Sequence, residues 1–390
     1  MADVKTLLAQ WPADEPVYAI SMGDDVQYYG GYSGSLERQM RAALGSSRMT
    51  VFSVIGNHDQ DGRQLYRQKW EDSWGPTDYS FDRGDEHFVC FNNVQFSRSK
   101  GYFQPGELTS AQMEWLRQDL ALTDHRRKVV LCYHVPLTFG NSPHSGATPL
   151  AIATESGHYS SAHLTPILRL LEPFEGGFEL FCGHTHFAIN HEIRYRGRNL
   201  LEHCHAAACG NIWQSNINIC GTPNGYYVYT FGGTAITDCF YKSTGWTRNR
   251  QMTLFGADTD FNGESYAADW NLPRGRGVIV ANVFNADSRW VVTATEDSST
   301  SRMVRLSGKG QDAFATGYHH RYAEAMPYAF ISKKNSYLIM NHLYYYVPRR
   351  KGATVTITAT DPYGNTYRAS SADRVTEPFY NYAHYLGATP

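Results

Sequence analysis

Several protein classes are excluded by what this sequence lacks. No run of eighteen or so apolar residues occurs in its 390 residues, so no membrane-spanning helix is expected. Neither sign of charge prevails. The net charge is −2 and the pI near 6.8, which leaves no basic footprint for nucleic acid and no polybasic face for a membrane. The opening residues, MADVKTLLAQW, contain no basic segment followed by a long apolar one, the form a signal peptide takes. There is no Cys-x-x-Cys, no cysteine spacing of the zinc-ribbon kind, no internal repeat and no low-complexity tract. The absence of His-Glu-x-x-His argues against a zinc peptidase. Cysteine occurs only at positions 90, 132, 182, 204, 209, 220 and 239. An odd number, with several in apolar runs (FVCF, LCYH, LFCG), reads mainly as buried thiols; one or two disulfides would fit an oxidising compartment.

What is present is the composition of an ordinary globular chain, 42% hydrophobic and 18% charged, long enough for two domains. Strand-like and helix-like segments alternate through residue 250. VYAIS, MTVFSVI, KVVLCY and FELFC read as buried strands, and SGSLERQMRAAL, TSAQMEWLRQDLAL and LTPILRLLEPF as helices, with a Ser cap on the first and Thr109 or Ser110 capping the second. Alternation of this kind predicts an α/β fold with largely parallel pairing, whose ligands gather beyond the carboxyl ends of the strands. From 251 to 390 the style changes. A Gly-, Asp- and Asn-rich stretch, GADTDFNGESYAADWNLPRGRG, leads into short β-type runs without a convincing helix, which predicts a small all-β, sandwich-like domain.

Four of the apolar strands end in residues that bind metals: AISMGDD at Asp24, VIGNHD at Asn57, LCYHVP at His134, and LFCGHTH at His184 and His186. On one parallel sheet these ends would share an edge. Carboxylate and amide oxygens with imidazole nitrogens suit divalent Mn, Fe or Zn, and a carboxylate shared between two ions holds them about 3.5–4 Å apart.

In this order, Gly23-Asp24, Gly56-Asn57-His58-Asp59, His134 and Gly183-His184-Thr185-His186 resemble the blocks of the calcineurin-like metallophosphoesterases. The segments CGTPNGYYVYTF and FYKSTGW and the β-rich tail are similar to one bacterial subfamily with a further β domain after the catalytic core. The resemblance implies a layered β-sheet core flanked by helices and a metal-dependent hydrolysis of phosphate monoesters or diesters by a hydroxide held between two cations. It makes Asp24 the bridging ligand, completes one metal with Asn57, His134 and His184, and gives His186 to the other. It places His58 on the leaving oxygen and Asp59 as the hydrogen-bond partner that orients His58. The substrate would be a small molecule or an exposed phosphate ester, and the protein would be periplasmic or secreted.

Other residues stay open between two roles. Tyr28 and Tyr29 could wall the pocket or pack in the core. Asn141, His144, His158 and His163, in a long segment after His134, could touch substrate or be loop polarity. His203 and His205 are better explained as core or rim histidines than as ligands, and the tyrosines around Tyr344 as strand residues than as a sugar platform.

The family's first block, Asp-x-His at the end of an earlier strand, is missing. Asp3 and Asp14 are the only aspartates before Asp24, and no histidine precedes His58. Asp85-Glu86-His87 has the right letters in the wrong place, an apparent hairpin after the GNHD block. The expectation is therefore an N-terminally incomplete chain that holds one metal well, the second retaining only Asp24 and His186. The alternative is a metal-depleted homologue acting as a binding or structural module.

Overall fold

The structure, a computed structural model, describes residues 1–28, 31–60, 64–97, 102–138, 142–143, 147–149, 159–209, 215–261, 270–321 and 338–376. Two compact units make up the chain. The first holds residues 1–185, 191–204 and 232–235, and the second 186–190, 205–231 and 236–390.

The first unit opens with α1 (Ala2–Leu8), followed by β1 (Tyr18–Ser21), α2 (Gly34–Leu44) and β2 (Thr50–Ser53). The Ser33 hydroxyl caps α2 by accepting the Leu36 N–H. β1 and β2 pair in parallel, Tyr18 opposite Thr50 and Ser21 opposite Ser53. One helical turn, α3 (Asn57–Gln60), and then α4 (Gln64–Trp74) lead to a second sheet. Its strands are β3 (Tyr79–Arg83), β4 (Glu86–Cys90), β5 (Lys128–Cys132), β6 (Ala147–Pro149), β7 (Phe178–Cys182), β8 (Ile189–Tyr195) and β9 (Arg198–Cys204), in the order β3-β4-β5-β7-β9-β8-β6. The central pairs β4–β5, β5–β7 and β7–β9 are parallel. Helix α5 (Ser110–Leu122) connects β4 to β5 in the chain, and α6 (Leu164–Leu171) precedes β7. Thr109 and Gln112 form a full capping box at the start of α5. Every residue of β4 and β5 is buried, as expected of parallel strands covered on both faces.

Two sheets, then, supply the polar strand ends, where the sequence led us to expect one edge. Asp24 and Asn57 follow β1 and β2, while His134 and His184 follow β5 and β7. The Asp85-Glu86-His87 stretch does lie in the β3–β4 hairpin, and both ring nitrogens of His87 face carboxylates, Asp82 at 2.7 Å and Asp119 at 2.8 Å. All seven cysteines are free thiols, although Cys90 lies opposite Cys132 and Cys182 opposite Cys204.

In the second unit a two-stranded sheet of β10 (Gly225–Gly232) and β11 (Ala235–Ser243) comes before two antiparallel four-stranded sheets. The strands of the latter are β12 (Met252–Gly256), β13 (Ile279–Val283), β14 (Val291–Glu296), β15 (Ser299–Arg302), β16 (Val304–Gly310), β17 (Leu338–Tyr346), β18 (Val355–Thr360) and β19 (Thr366–Ser370). One sheet runs β12-β13-β17-β16 and the other β15-β14-β18-β19. Leu254, Ile279, Ala281 and Tyr344 from the first meet Val292, Ala294, Ile357 and Tyr367 from the second in one buried cluster, which makes a sandwich. Tyr344 is thus a core residue.

One helix, α7 (Ala313–Arg321), does interrupt these strands, contrary to the sequence reading. Ala313 through His319 are all buried, and Phe314 and Tyr318 pack with Phe255, Val278 and Val280 on the outer face of the first sheet. A helix covered on every side has no apolar stripe to reveal it.

Candidate metal centre

The strand ends of the first unit turn sharply. Asp24 and His184 both have left-handed backbone, with φ of +61° and +67°. Non-glycine residues seldom adopt this conformation, and it collects at functional sites. Tight approach explains two glycines. A Cβ on Gly23, itself at φ +96°, would stand 2.6 Å from His134 Nδ1, and one on Gly56 would collide with the Asp24 carboxylate.

These turns bring four lone-pair donors together. His134 Nδ1–H donates to the Met22 carbonyl at 2.7 Å. That bond places a proton on Nδ1, so that a neutral ring would carry its lone pair on Nε2. His134 Nε2 then lies 3.0 Å from Asn57 Oδ1, 3.2 Å from His184 Nδ1 and 3.2 Å from Asp24 Oδ2. His184 Nδ1 is 2.9 Å from Asn57 Oδ1. Asp24, His134 and His184 have their ligand atoms all within 4.8 Å of one another. Atoms that mainly accept hydrogen bonds repel at this range unless a proton or a cation lies among them. Separations near 3 Å are those of neighbouring ligands around an ion bound at about 2.0–2.2 Å. The donor set therefore fits a divalent cation.

The electrostatics agree. Burial opposes a charge on His134, yet Asp24 and the Met22 carbonyl carry its pKa up to about 8. Burial, and then the neighbouring carboxylates of Asp25 and Asp24, push Asp59 well above the usual range. Burial likewise raises Asp25, whose carboxylate accepts the Ser21 hydroxyl at 2.5 Å. Three crowded carboxylates and a histidine that holds its proton are what a bound cation would relieve.

Asp59 does not orient His58. Its carboxylate accepts three backbone N–H groups, Asp24 at 2.9 Å and Gly56 at 2.7 Å on one oxygen and Val26 at 2.8 Å on the other. It ties the turn after β1 to the turn after β2, and backbone donors there outcompete a ring. His58 Nδ1 instead meets Gln27, whose Oε1 is 2.8 Å away. The His58 N–H in turn donates to Asp24 Oδ1 at 2.9 Å.

Two further residues were not anticipated. Asn93 holds Val135 by both faces of its amide, and the buried Glu202 accepts from the Tyr133 hydroxyl and the N–H groups of Leu137 and Thr138. Together they pin the chain on either side of His134. A carboxylate inside the apolar run LLEHC was the one sequence signal for Glu202.

Tyr28 is fully buried with its hydroxyl on Glu37 Oε2 at 2.8 Å, so it walls no open pocket. His163 Nδ1 accepts the Leu108 N–H at 3.3 Å near the start of α6. His203 is buried beside Glu179, 3.6 Å away, and His205 Nε2 lies 3.0 Å from the Tyr229 hydroxyl, both with packing roles. His186 belongs to the second unit, at a left-handed turn with φ +61°. Tyr29, Asn141, His144 and His158 lie outside the described residues.

Compared with known families, residues 1–188 match calcineurin-like phosphoesterase, and residues 202–367 match the C terminal of calcineurin-like phosphoesterase. No curated protein matches the chain.

Proposed function

Because the chain belongs to the calcineurin-like phosphoesterases and carries that family's C-terminal region, we propose that it hydrolyses phosphate esters, with a divalent cation held by Asp24, Asn57, His134 and His184. The observation that carries this reading is the convergence of four donors from two sheets, at contacts of 2.9 to 3.2 Å. A cation bound there lowers the pKa of water towards neutrality and offsets charge building on the phosphoryl oxygens.

The chain's own groups supply the rest. The Gln27 amide oxygen can only accept, so this contact fixes a proton on His58 Nδ1 and makes Nε2 the nitrogen that would exchange one with substrate. That supports His58 as the group that protonates the leaving oxygen. Asp59 and the close-packed glycines hold the two turns so that Asp24 reaches both His58 and the cation site. The substrate is a small molecule or an exposed phosphate group, since the chain has no basic track for a nucleic acid.

The test is turnover of para-nitrophenyl phosphate and of its bis-ester by protein loaded with Mn²⁺. His58→Ala should lower kcat by about a hundred- to ten-thousandfold with cation content unchanged. Cation binding without turnover of either ester would favour a binding or structural homologue instead.

A further inference from the structure

His184 occupies a backbone conformation that needs support. Its φ is +67°, and the Thr185 N–H donates back to the Gly183 carbonyl at 2.7 Å, closing a three-residue turn around it. A turn of this type with positive φ at its centre is the rare, strained γ form. Such geometry persists only where neighbouring groups over-determine it.

Cys204 supplies contacts on both sides of that turn. It ends β9, directly opposite Cys182 at the end of β7. The Cys204 thiol donates to the Gly183 carbonyl at 3.0 Å, and its sulfur lies 2.9 Å from Thr185 Oγ1. These two partners flank His184 in sequence. Cys204 is only 2% exposed, so water does not compete for either contact. The Gly183 carbonyl thus accepts twice, from Thr185 within the turn and from Cys204 across the sheet. A buried thiol usually acts as a small apolar filler; this one joins β9 to the ligand-bearing turn that follows β7.

We propose that Cys204 is a positioning residue for the cation site, its thiol bracing the strained turn so that His184 Nδ1 points at Asn57 and His134. The idea rests on the reading of that cluster as a metal centre.

Three variants separate the possibilities. Cys204→Ala removes both contacts, Cys204→Ser keeps a donor and an acceptor, and Thr185→Val removes one contact with the cysteine in place. Two quantities are measured: Mn²⁺ affinity by calorimetry, and amide hydrogen exchange at Thr185 by NMR on the metal-free protein. Cys204→Ala should weaken Mn²⁺ binding by about 10–100-fold, the usual cost of losing a group that orients a ligand. Thr185→Val should weaken it less, and Cys204→Ser should return it close to the wild-type value. Exchange at Thr185 should quicken in Cys204→Ala and slow again in Cys204→Ser. Unchanged affinity and exchange in Cys204→Ala would overturn the brace, as would a serine variant as damaged as the alanine one. If the wild type binds no Mn²⁺, the metal-centre reading falls, while exchange in the metal-free protein still decides the brace alone. Should Cys204→Ala fail to fold, Thr185→Val against wild type makes the same comparison.

Discussion

Asp24, Asn57 and His134 in the first unit have counterparts of the same three types in the second, Asp312, Asn282 and His342. The second set is buried throughout, where Asp24 is partly exposed, and is also mutually bonded. Asp312 Oδ1 accepts the Ala315 N–H at 2.7 Å and Oδ2 accepts the Asn282 amide at 2.9 Å, while Asn282 Oδ1 lies 2.9 Å from His342 Nδ1. The Asn282 amide also donates to the Cys220 carbonyl at 2.7 Å. Here donors meet acceptors in alternation, and the cluster caps α7 and knits strands together. In the first unit the acceptors face one another. Residue type is the same in both; what differs is that Asp312 and Asn282 each meet a donor, while Asp24 Oδ2, Asn57 Oδ1 and two imidazole nitrogens converge on one another. Burial drives the His342 pKa down to about 3, with the Arg305 charge adding to it, whereas Asp24 helps hold His134 at about 8.

Substitutions should break this contrast in a graded way. Asp24→Asn should cost most, weakening Mn²⁺ binding by at least about a hundredfold, beyond what groups outside the ligand set cost; metal analysis after gel filtration would read it. Asp312 should oppose the acid response of His319 and His342, whose pKa values burial lowers to about 3 and whose contribution to stability grows as pH rises. Burial, only partly offset by bonds from Ala315 and Asn282, raises the Asp312 pKa from 3.8 to about 6. The folded chain therefore keeps a proton that the unfolded chain has released, so this stabilisation is full below about pH 4 and lost as pH rises through 6. It amounts to at most about 3 kcal/mol. Denaturant titrations across that window should show a steeper gain of stability with rising pH in Asp312→Asn, since His319 and His342 then titrate unopposed. Asn282→Leu should strip Asp312, His342 and the Cys220 carbonyl of their bonds to the amide and cost about 1–3 kcal/mol of stability, leaving ester turnover per folded molecule unchanged. Gln27→Leu should act last and least, lowering kcat by about tenfold at constant cation content, less than removing the general acid itself; Gln27→Glu, which keeps an acceptor oxygen, should recover much of that.

The clustered residues Asp24, Asn57, His134 and His184 were readable because each stands just beyond the end of an apolar strand. The helices that begin at Ser33 and Thr109 were readable from their caps, which act locally. What escaped depends on distant partners. That β1 and β2 form their own sheet follows from pairing, which no single strand encodes. Helix α7 was hidden because burial on all sides erases its period. Asp59 next to His58 suggested a partnership that the turn forbids, since backbone donors of Asp24, Val26 and Gly56 surround the carboxylate. Gln27 was only another polar loop residue until His58 was seen beside it.

The pinning of the chain around His134 has a consequence for how such a protein can change. Asn93 and Glu202 grip Val135, Leu137 and Thr138 through main-chain atoms, so the imidazole is anchored before the long segment beyond Thr138 begins. Insertions or deletions further along can then be absorbed without moving His134. Sequence drift beyond Thr138 would therefore be tolerated more readily than drift at Asn93 or Glu202, which clamp the backbone beside the imidazole.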